Sequence, residues 1–190
     1  MALLLGVKAL PISYVAHVLA VAALILVLTW TIRFRGGYAW EDANKNLIFN
    51  LHPVLMLTGI IIIGGQAIMS YKSLPLERPT KKLIHLSLHA VAFTLGVIGI
   101  YLAFKYHNES HIPNLYSLHS WLGIGVISLY GLQWIYGFLV FVFPGGTGYI
   151  RSTVLPWHVL AGMFIYILAI CTATLGFLEK LTFLQSSGLA

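Results

Sequence analysis

The sequence predicts an all-α, polytopic membrane helical bundle with five spanning helices. Of its 190 residues 59% are hydrophobic and 8% are charged, whereas an ordinary soluble domain has about 25% charged residues. Five apolar segments exceed the roughly 17 residues that a hydrocarbon core requires. The alternating segments of about ten residues that are typical of a membrane β-barrel are absent from the sequence. Because backbone polar groups in lipid must be satisfied internally, each segment is predicted to be a helix.

The predicted spans follow one another with short connections. They are Ile12–Ile32, Leu47–Ser70, Leu83–Phe104, Leu118–Val142 and Val154–Leu178. Turn-forming residues such as Gly36-Gly37 occur in the connections. Short connections make neighbouring helices antiparallel, which predicts an up-down arrangement. No long linker interrupts the sequence, so residues 1–190 are expected to form a single transmembrane domain.

The charged residues are confined to the connections and the ends of the segments. Eleven lysines and arginines against five acids give a net charge of +6, and this distribution favours a membrane protein over a partner of nucleic acid. We call side A the face that carries the N-terminus and the second and fourth connections, and side B the opposite face. Side A receives six cations and side B five, a small excess that favours side A as cytoplasmic. The six are Lys8, Lys72, Arg78, Lys81, Lys82 and Arg151.

Four histidines lie near the ends of the second to fifth segments. His52 and His119 begin segments that run from side B to side A, while His85 and His158 begin segments that run the opposite way. Alternating direction therefore pairs His52 with His119 near side B, and His85 with His158 near side A. Imidazoles are strong metal ligands, and ionisable groups within a membrane are costly and usually functional. The pattern predicts two bis-histidine haem sites, although His89, four residues after His85, competes as a ligand on spacing alone.

The single cysteine limits how a haem is held. Cys171 has no partner for an intrachain disulfide, and no Cys-x-x-Cys-His motif is present for covalent attachment. Any haem is therefore predicted to be a non-covalent b haem. Three alternatives remain open on the residues alone: a two-haem quinol-linked membrane cytochrome, a histidine-based metal or proton transporter, and a structural membrane protein whose histidines only pack.

Five sequence motifs, taken in order, carry a resemblance to a known family. They are Asn50-Leu-His-Pro-Val-Leu-Met56, Ala67-Ile-Met-Ser-Tyr-Lys-Ser-Leu-Pro75, Lys82-Leu-Ile-His85, Tyr116-Ser-Leu-His-Ser-Trp121 and Leu155-Pro-Trp-His158. Together they resemble the eukaryotic cytochrome b561 family of ascorbate-dependent transmembrane electron-transfer proteins. The resemblance extends over nearly the whole chain.

The resemblance implies a fold, a cofactor and an activity. The family fold is a six-helix bundle that encloses two non-covalent b haems, so a sixth helix is expected to follow Ala190. The implied activity takes an electron from cytoplasmic ascorbate and delivers it to non-cytoplasmic monodehydroascorbate or a ferric complex, as a monodehydroascorbate reductase or ferrireductase. The family's haem-ligating positions favour His85 over His89. They map onto His52, His85, His119 and His158.

The resemblance also implies a substrate site near each face. Ascorbate is an anion, and on side A basic residues and one tyrosine adjoin the His85–His158 pair. These are Lys72, Arg78, Lys81, Lys82, Arg151 and Tyr71. Lys72 stands where the family commonly has arginine, which keeps the charge and loses the planar fork. Anchoring to lipid headgroups is the alternative role for each of these cations.

On side B we expect the acceptor to bind beside the start of the fourth segment. The candidate residues are Lys105, His107, Asn108 and Tyr116. The expected partners are thus ascorbate, monodehydroascorbate or ferric complexes, and membrane lipid, with a homodimer as an assembly that the family implies. The expected location is multi-pass in an endomembrane (vacuole, vesicle or lysosome-like) or in the plasma membrane.

Overall fold

The structure, a computed structural model, describes residues 9–188 and contains helices and connections without a β-strand in that range. Five helices are long and apolar enough to cross a membrane. They are α1 (Ala9–Thr29), α2 (Asn46–Ser73), α3 (Arg78–Glu109), α4 (Leu118–Phe141) and α5 (Gly148–Ser186). The predicted all-α membrane bundle with five spans is therefore confirmed.

The helices extend further than the hydropathy pattern predicted. The third begins at Arg78 rather than Leu83, and the fifth begins at Gly148 rather than Val154. Hydropathy marks the part of a helix that lies in hydrocarbon, whereas the intrahelical hydrogen bonds continue into the polar interface. Most cations expected in connections therefore lie on terminal helical turns. Lys8, expected on side A, lies outside the described residues.

Side-chain caps fix where the fourth and fifth helices begin. The hydroxyl of Ser117 accepts from the backbone N–H of Ser120 at 3.3 Å, and Ser120 Oγ accepts from the backbone N–H of Ser117 at 3.2 Å. This reciprocal capping box satisfies two N–H groups that the helix leaves unpaired. Thr147 caps α5 in a similar way, because its hydroxyl accepts from Ile150 N–H at 3.3 Å. The Ser117 cap places His119 in the first turn of α4.

The helices form two closely packed pairs, α2 with α3 and α4 with α5, while α1 packs mainly against α2. Glycines permit the close approach of α2 and α3. A Cβ atom added at Gly59 would lie 2.7 Å from Leu95 Cβ, and one at Gly96 would lie 2.8 Å from Ile60 Cδ1. Leu95 Cβ is fixed to its helix backbone, so Gly59 requires the absence of a side chain. At Gly96 the end of the Ile60 side chain would have to move to make room for a methyl group.

A buried apolar cluster occupies the middle of the bundle, with contributions from α2 to α5. Its members are Ile60, Ala92, Val126, Tyr130, Ile165 and Ala169. Each of these four helices contains one candidate ligand histidine. The first cluster residue of the helix follows that histidine by seven or eight positions. At this level α2 contains a π-helical segment, Leu57–Ile63. The cluster therefore separates the side A histidines from the side B histidines.

A buried asparagine joins the α1–α2 connection to the start of α2. Asn50 is 1% exposed, and its Nδ2 donates to the carbonyls of Arg35 at 3.0 Å and Gly37 at 2.8 Å. Gly37 has φ +91°, a conformation that residues with side chains rarely adopt. The connection therefore turns at glycine and is held by the Asn50 amide.

We expect Asn50→Ala to lower the free energy of unfolding by about 1–3 kcal/mol, because it leaves two backbone carbonyls without their donor. Thermal unfolding in detergent would measure the change. Gln185 is an exposed amide residue near the end of α5 whose side chain has no hydrogen-bond partner within the described residues, so Gln185→Ala serves as the control and should stay within about 0.5 kcal/mol of wild type. Equal stability of the two variants would contradict the assigned role of Asn50.

Candidate functional site

The structure brings the four candidate histidines together in two pairs. The ring centres of His52 and His119 are 6.1 Å apart, and those of His85 and His158 are 6.4 Å apart. Two imidazoles on opposite sides of one metal ion, each with a bond of about 2.0 Å, have ring centres about 6 Å apart. Each pair therefore has the spacing that a single metal ion between the rings requires.

Three of these rings are oriented by backbone carbonyls of the neighbouring helix. His52 Nδ1 lies 2.9 Å from Gly99 O, and His85 Nδ1 lies 2.9 Å from Ala67 O. His119 Nδ1 lies 2.9 Å from the carbonyl of Thr172. A carbonyl only accepts, so each Nδ1 carries the proton and donates it. The lone pair is thereby left on Nε2, as in metal-binding histidines whose second nitrogen is hydrogen-bonded.

The fourth histidine is held by a side chain instead. Gln133 Nε2 lies 3.0 Å from His158 Nδ1 and donates to the His158 backbone carbonyl at 2.7 Å. Gln133 was not predicted from the sequence. Its position in the sequence could have identified it, because an amide within a long apolar segment requires a partner and is commonly functional.

These contacts also give the depth of each pair. His52 lies level with Gly99 of α3, and Ala67 of α2 lies level with His85. The interval between the two levels is therefore fifteen residues in α2 and fourteen in α3, or about 21–22 Å at about 1.5 Å per residue. The contacts of His119 and His158 give fourteen residues in both α4 and α5.

Two glycines that the sequence analysis did not single out make room for the rings. A Cβ atom added at Gly176 would lie 2.7 Å from His119 Cε1, and one at Gly137 would lie 2.9 Å from His158 Cε1. Gly176 is on α5 and faces a histidine of α4, while Gly137 is on α4 and faces a histidine of α5. In the α4–α5 pair, each imidazole thus packs against a glycine of the opposite helix.

The rival histidine has a different partner. His89 Nδ1 is hydrogen-bonded to the hydroxyl of Tyr130 at 2.5 Å, and its ring centre lies 4.4 Å from that of His85. The structure therefore places His85, rather than His89, at ligand spacing from His158.

A cavity of about 530 Å³ opens beside the His52–His119 pair. This volume lies within the range of about 300–1,000 Å³ that is usual for cofactor and ligand sites. Of the four predicted acceptor residues, His107 and Tyr116 line this cavity. Its lining also includes three polar residues that the sequence analysis did not select. These are Asn114, Glu179 and Lys180.

The structure places the other two predicted acceptor residues elsewhere. Lys105 and Asn108 line a separate small cavity. Lys105 forms ion pairs with Glu41 and with Glu109, the latter at 3.3 Å, and Asn108 accepts from Asn114 at 2.7 Å. The charge of Lys105 is thus already balanced by two carboxylates, which sequence spacing did not reveal because Glu41 is 64 residues away.

Aromatic rings connect His52 with the mouth of the large cavity. The ring of Phe49 lies 5.7 Å from His52 and 4.9 Å from Tyr106, and His107 lies 5.8 Å from Tyr106 and 5.7 Å from Tyr116. The pKa of Tyr116 is raised to about 12, mainly by burial and secondly by a hydrogen bond to Glu179. Tyr116 is therefore a neutral hydrogen-bond donor at physiological pH.

On side A, two of the predicted basic residues are tied to groups that contact the histidines. Lys81 Nζ donates to the carbonyl of Tyr71 at 3.3 Å, and the Tyr71 ring lies 5.2 Å from His85. Lys82 Nζ donates to the carbonyl of Phe141 at 2.9 Å. The Phe141 ring lies 5.2 Å from the ring of His158.

The remaining predicted side A cations, Lys72, Arg78 and Arg151, are exposed on the terminal turns of α2, α3 and α5. They have no hydrogen-bond or ion-pair partner within the described part of the chain. Their charge is therefore available to an anion that approaches side A.

Comparison with known proteins places the chain in a family. Residues 51–184 match the family described as eukaryotic cytochrome b561. This match includes all four histidines and most of the chain. The chain belongs to the eukaryotic cytochrome b561 family. The resemblance stated from the motifs is thus confirmed, and membership of the cytochrome b561 family implies a haem b cofactor.

Several curated relatives of this cytochrome b561 are strongly similar. It is 68% identical to transmembrane ascorbate ferrireductase 1 of Arabidopsis thaliana over 183 residues, which cover 96% of this chain and 77% of the relative. It is 67% identical to the probable ascorbate-specific transmembrane electron transporter 2 of Oryza sativa subsp. japonica, with 97% and 79% covered. A lysosomal membrane ascorbate-dependent ferrireductase of Danio rerio is 39% identical, with 94% and 73% covered.

The histidine pairs fit the cofactor that the cytochrome b561 family implies. Within residues 9–188, no group of three or more histidine, cysteine or acidic side chains converges on one point, whereas a metal ion held by protein alone usually has four ligands. Each pair supplies two opposed imidazoles, and a haem supplies the remaining nitrogen ligands itself. Spacing and donor chemistry therefore agree with axial ligation of haem iron.

Proposed function

We propose that this chain is an ascorbate-dependent transmembrane oxidoreductase with two non-covalent b haems, one bound by His52 and His119 and the other by His85 and His158. It takes electrons from cytoplasmic ascorbate at side A. It delivers them at side B to monodehydroascorbate or to a ferric complex. The whole chain acts as a single multi-pass transmembrane domain in an endomembrane or the plasma membrane.

One observation carries the proposal: two pairs of imidazoles at ligand spacing lie at opposite ends of the same four helices. The ring-centre distances of 6.1 and 6.4 Å suit one iron per pair. The pairs lie about 21 Å apart by helix rise, with the buried apolar cluster between them. This arrangement supports electron transfer across a membrane, because it provides one redox site near each face. The names of the relatives supply the donor, since they describe ascorbate-dependent proteins.

When bound, each haem b supplies a one-electron iron couple, while the protein supplies ligands, orientation and electrostatics. At side A the cationic helix ends attract the ascorbate anion. Lys81 donates to the carbonyl of Tyr71, whose ring lies against His85. Lys82 donates to the carbonyl of Phe141, whose ring lies against His158. Both ammonium groups retain donors for the oxygens of ascorbate. Ascorbate gives up one electron and one proton there and leaves as monodehydroascorbate.

At side B the mouth of the large cavity, next to the haem that His52 and His119 would hold, receives the acceptor. His107 and Tyr116 line it together with Glu179. The imidazole can bind an oxygen of monodehydroascorbate or pass it a proton. The neutral Tyr116 phenol is hydrogen-bonded to Glu179, and its oxygen can still accept a hydrogen bond. Monodehydroascorbate takes up one electron and one proton to become ascorbate, whereas a ferric complex takes up one electron only. We assign Lys105 to the ion pairs that hold α3 against the α1–α2 connection, rather than to the substrate.

The proposal is tested with purified protein in lipid vesicles loaded with ascorbate. We expect a b-type absorbance spectrum with two haems per chain, and reduction followed by reoxidation when ferric chelate or a monodehydroascorbate-generating system is added outside. Reduction by a quinol but not by ascorbate would favour a quinol-linked cytochrome. A colourless protein that moves metal ions or protons would favour a transporter. Either result would overturn the proposal.

We expect Gly176→Ala to lose about half of the bound haem, because the new methyl group displaces the His119 ring. Haem content per chain, measured by the pyridine haemochrome spectrum, gives the result. Gly125 is also a glycine of the bundle, but a Cβ atom there would meet no atom within 4 Å. Gly125→Ala should therefore keep the full haem content, and loss of haem from both variants would count against the site.

We expect Lys81→Ala to slow reduction by ascorbate by about 10- to 100-fold, because it removes a charge-assisted hydrogen bond worth about 1.5–3 kcal/mol. Stopped-flow absorbance at the haem bands measures the rate, and the haem content should stay at the wild-type level. Arg33→Ala removes one exposed cation from the side B end of the first span and should leave the rate unchanged. Equal rates for Lys81→Ala and Arg33→Ala would show that Lys81 does not bind ascorbate.

A further inference from the structure

The four histidines follow a reciprocal pattern with one exception. His52 of α2 bonds to a carbonyl of α3, and His85 of α3 bonds to a carbonyl of α2. His119 of α4 likewise bonds to a carbonyl of α5. The pattern would be complete if His158 of α5 bonded to a carbonyl of α4. Instead, α4 presents the side-chain amide of Gln133.

The amide contacts His158 at two points. Gln133 Nε2 lies 3.0 Å from the ring Nδ1 and 2.7 Å from the backbone carbonyl of the same residue. Gly137, one helical turn after Gln133 on α4, also confines the ring, because a Cβ atom there would lie 2.9 Å from His158 Cε1. The position of the ring thus depends on the amide and on the absence of a side chain at Gly137.

The group at Nδ1 controls the donor strength of Nε2 in a metal-binding histidine. A backbone carbonyl always accepts, so it keeps the proton on Nδ1 and the lone pair on Nε2. An amide has one accepting end and one donating end, and at His158 the nitrogen end faces Nδ1. Ligation through Nε2 leaves the proton on Nδ1. In Gln133 only Oε1 can accept that proton, so ligation requires the amide to turn and to give up the bond from Nε2 to the His158 carbonyl. His158 is therefore the ligand whose hydrogen bond depends on a replaceable side chain.

We propose that Gln133 is a positioning residue that sets the electron-donating strength of His158, and thereby the reduction potential of the side A haem independently of the side B haem. This inference rests on the proposed ligation of haem by His85 and His158. A stronger acceptor at Nδ1 gives the imidazole more negative charge and stabilises ferric iron, which lowers the potential. Removal of the acceptor has the opposite effect. Backbone carbonyls fix the other three ligands, and no side-chain substitution removes those acceptors.

Redox titration of the visible spectrum of the haem-loaded protein tests this inference, with low-spin ferric EPR signals as the second readout. Gln133→Met removes the acceptor, Gln133→Glu provides oxygens that only accept when ionised, and Gln185→Met removes an exposed glutamine near the side B end of α5. We measure each variant in wild type and in a His119→Leu background, where the side A haem alone remains.

We expect Gln133→Met to raise the midpoint potential of the side A haem by about 59 mV. This shift corresponds to an about tenfold change in the ratio of reduced to oxidised haem at a fixed potential. Gln133→Glu should lower it, and the EPR signal of the same haem should shift. The side B midpoint and the Gln185→Met protein should match wild type.

Several results would overturn the inference. The first is an unchanged midpoint in both Gln133 variants, and the second is an equal shift of the midpoints of both haems. The third is a shift in the same direction in the two variants. The fourth is loss of the side A haem from both variants, which would make Gln133 a structural support only. Failure of the proposed function is distinguishable, because wild type itself would then bind fewer than two haems.

Discussion

The hydrogen bond from an imidazole Nδ1 to the backbone of the adjacent helix is the interaction on which the site depends. At His52, His85 and His119 it orients the ring, leaves the lone pair on Nε2, and fixes the height of one helix against its neighbour. His52 and His85 do this between α2 and α3 from opposite ends, so the two helices are joined twice. A buried polar group in a membrane is costly when it has no partner. These bonds therefore satisfy a physical requirement of the fold and prepare the ligands at the same time.

The two faces of the bundle differ in how charge is handled. On side A the cations of the described residues are exposed or bound to carbonyls, and none of them forms an ion pair. On side B, Lys45 and Lys105 are paired with acids, with Lys45 Nζ 2.8 Å from Glu109. An anion that approaches side A thus meets cations without ion-pair partners. The side B cavity, in contrast, offers an imidazole, a neutral phenol and the carboxylate of Glu179, a set suited to proton delivery or to a cationic centre.

The sequence was sufficient for the class of fold, because the apolar segments are long and their alternating direction follows from the short connections. The same alternation predicted which histidines would meet, and the structure places those pairs at ligand spacing. Contacts between distant residues were not predictable in this way. Sequence spacing did not show that Glu41 neutralises Lys105, or that Gly176 faces His119. The residue Gln133 was visible as an amide in an apolar segment, but its partner 25 positions away was not.

The interval between the two histidine levels, fourteen or fifteen residues in each of α2 to α5, has a consequence for sequence change in this molecule. Insertion of a single residue inside a regular α-helical interval rotates everything beyond it by about 100° around the helix axis and turns a ligand or its acceptor away from the bundle interior. The α2 interval, which has fifteen residues, contains the π-helical segment Leu57–Ile63, and a π-helical turn takes up an extra residue. The spacing between the two histidine levels is thus built into the covalent length of four separate segments.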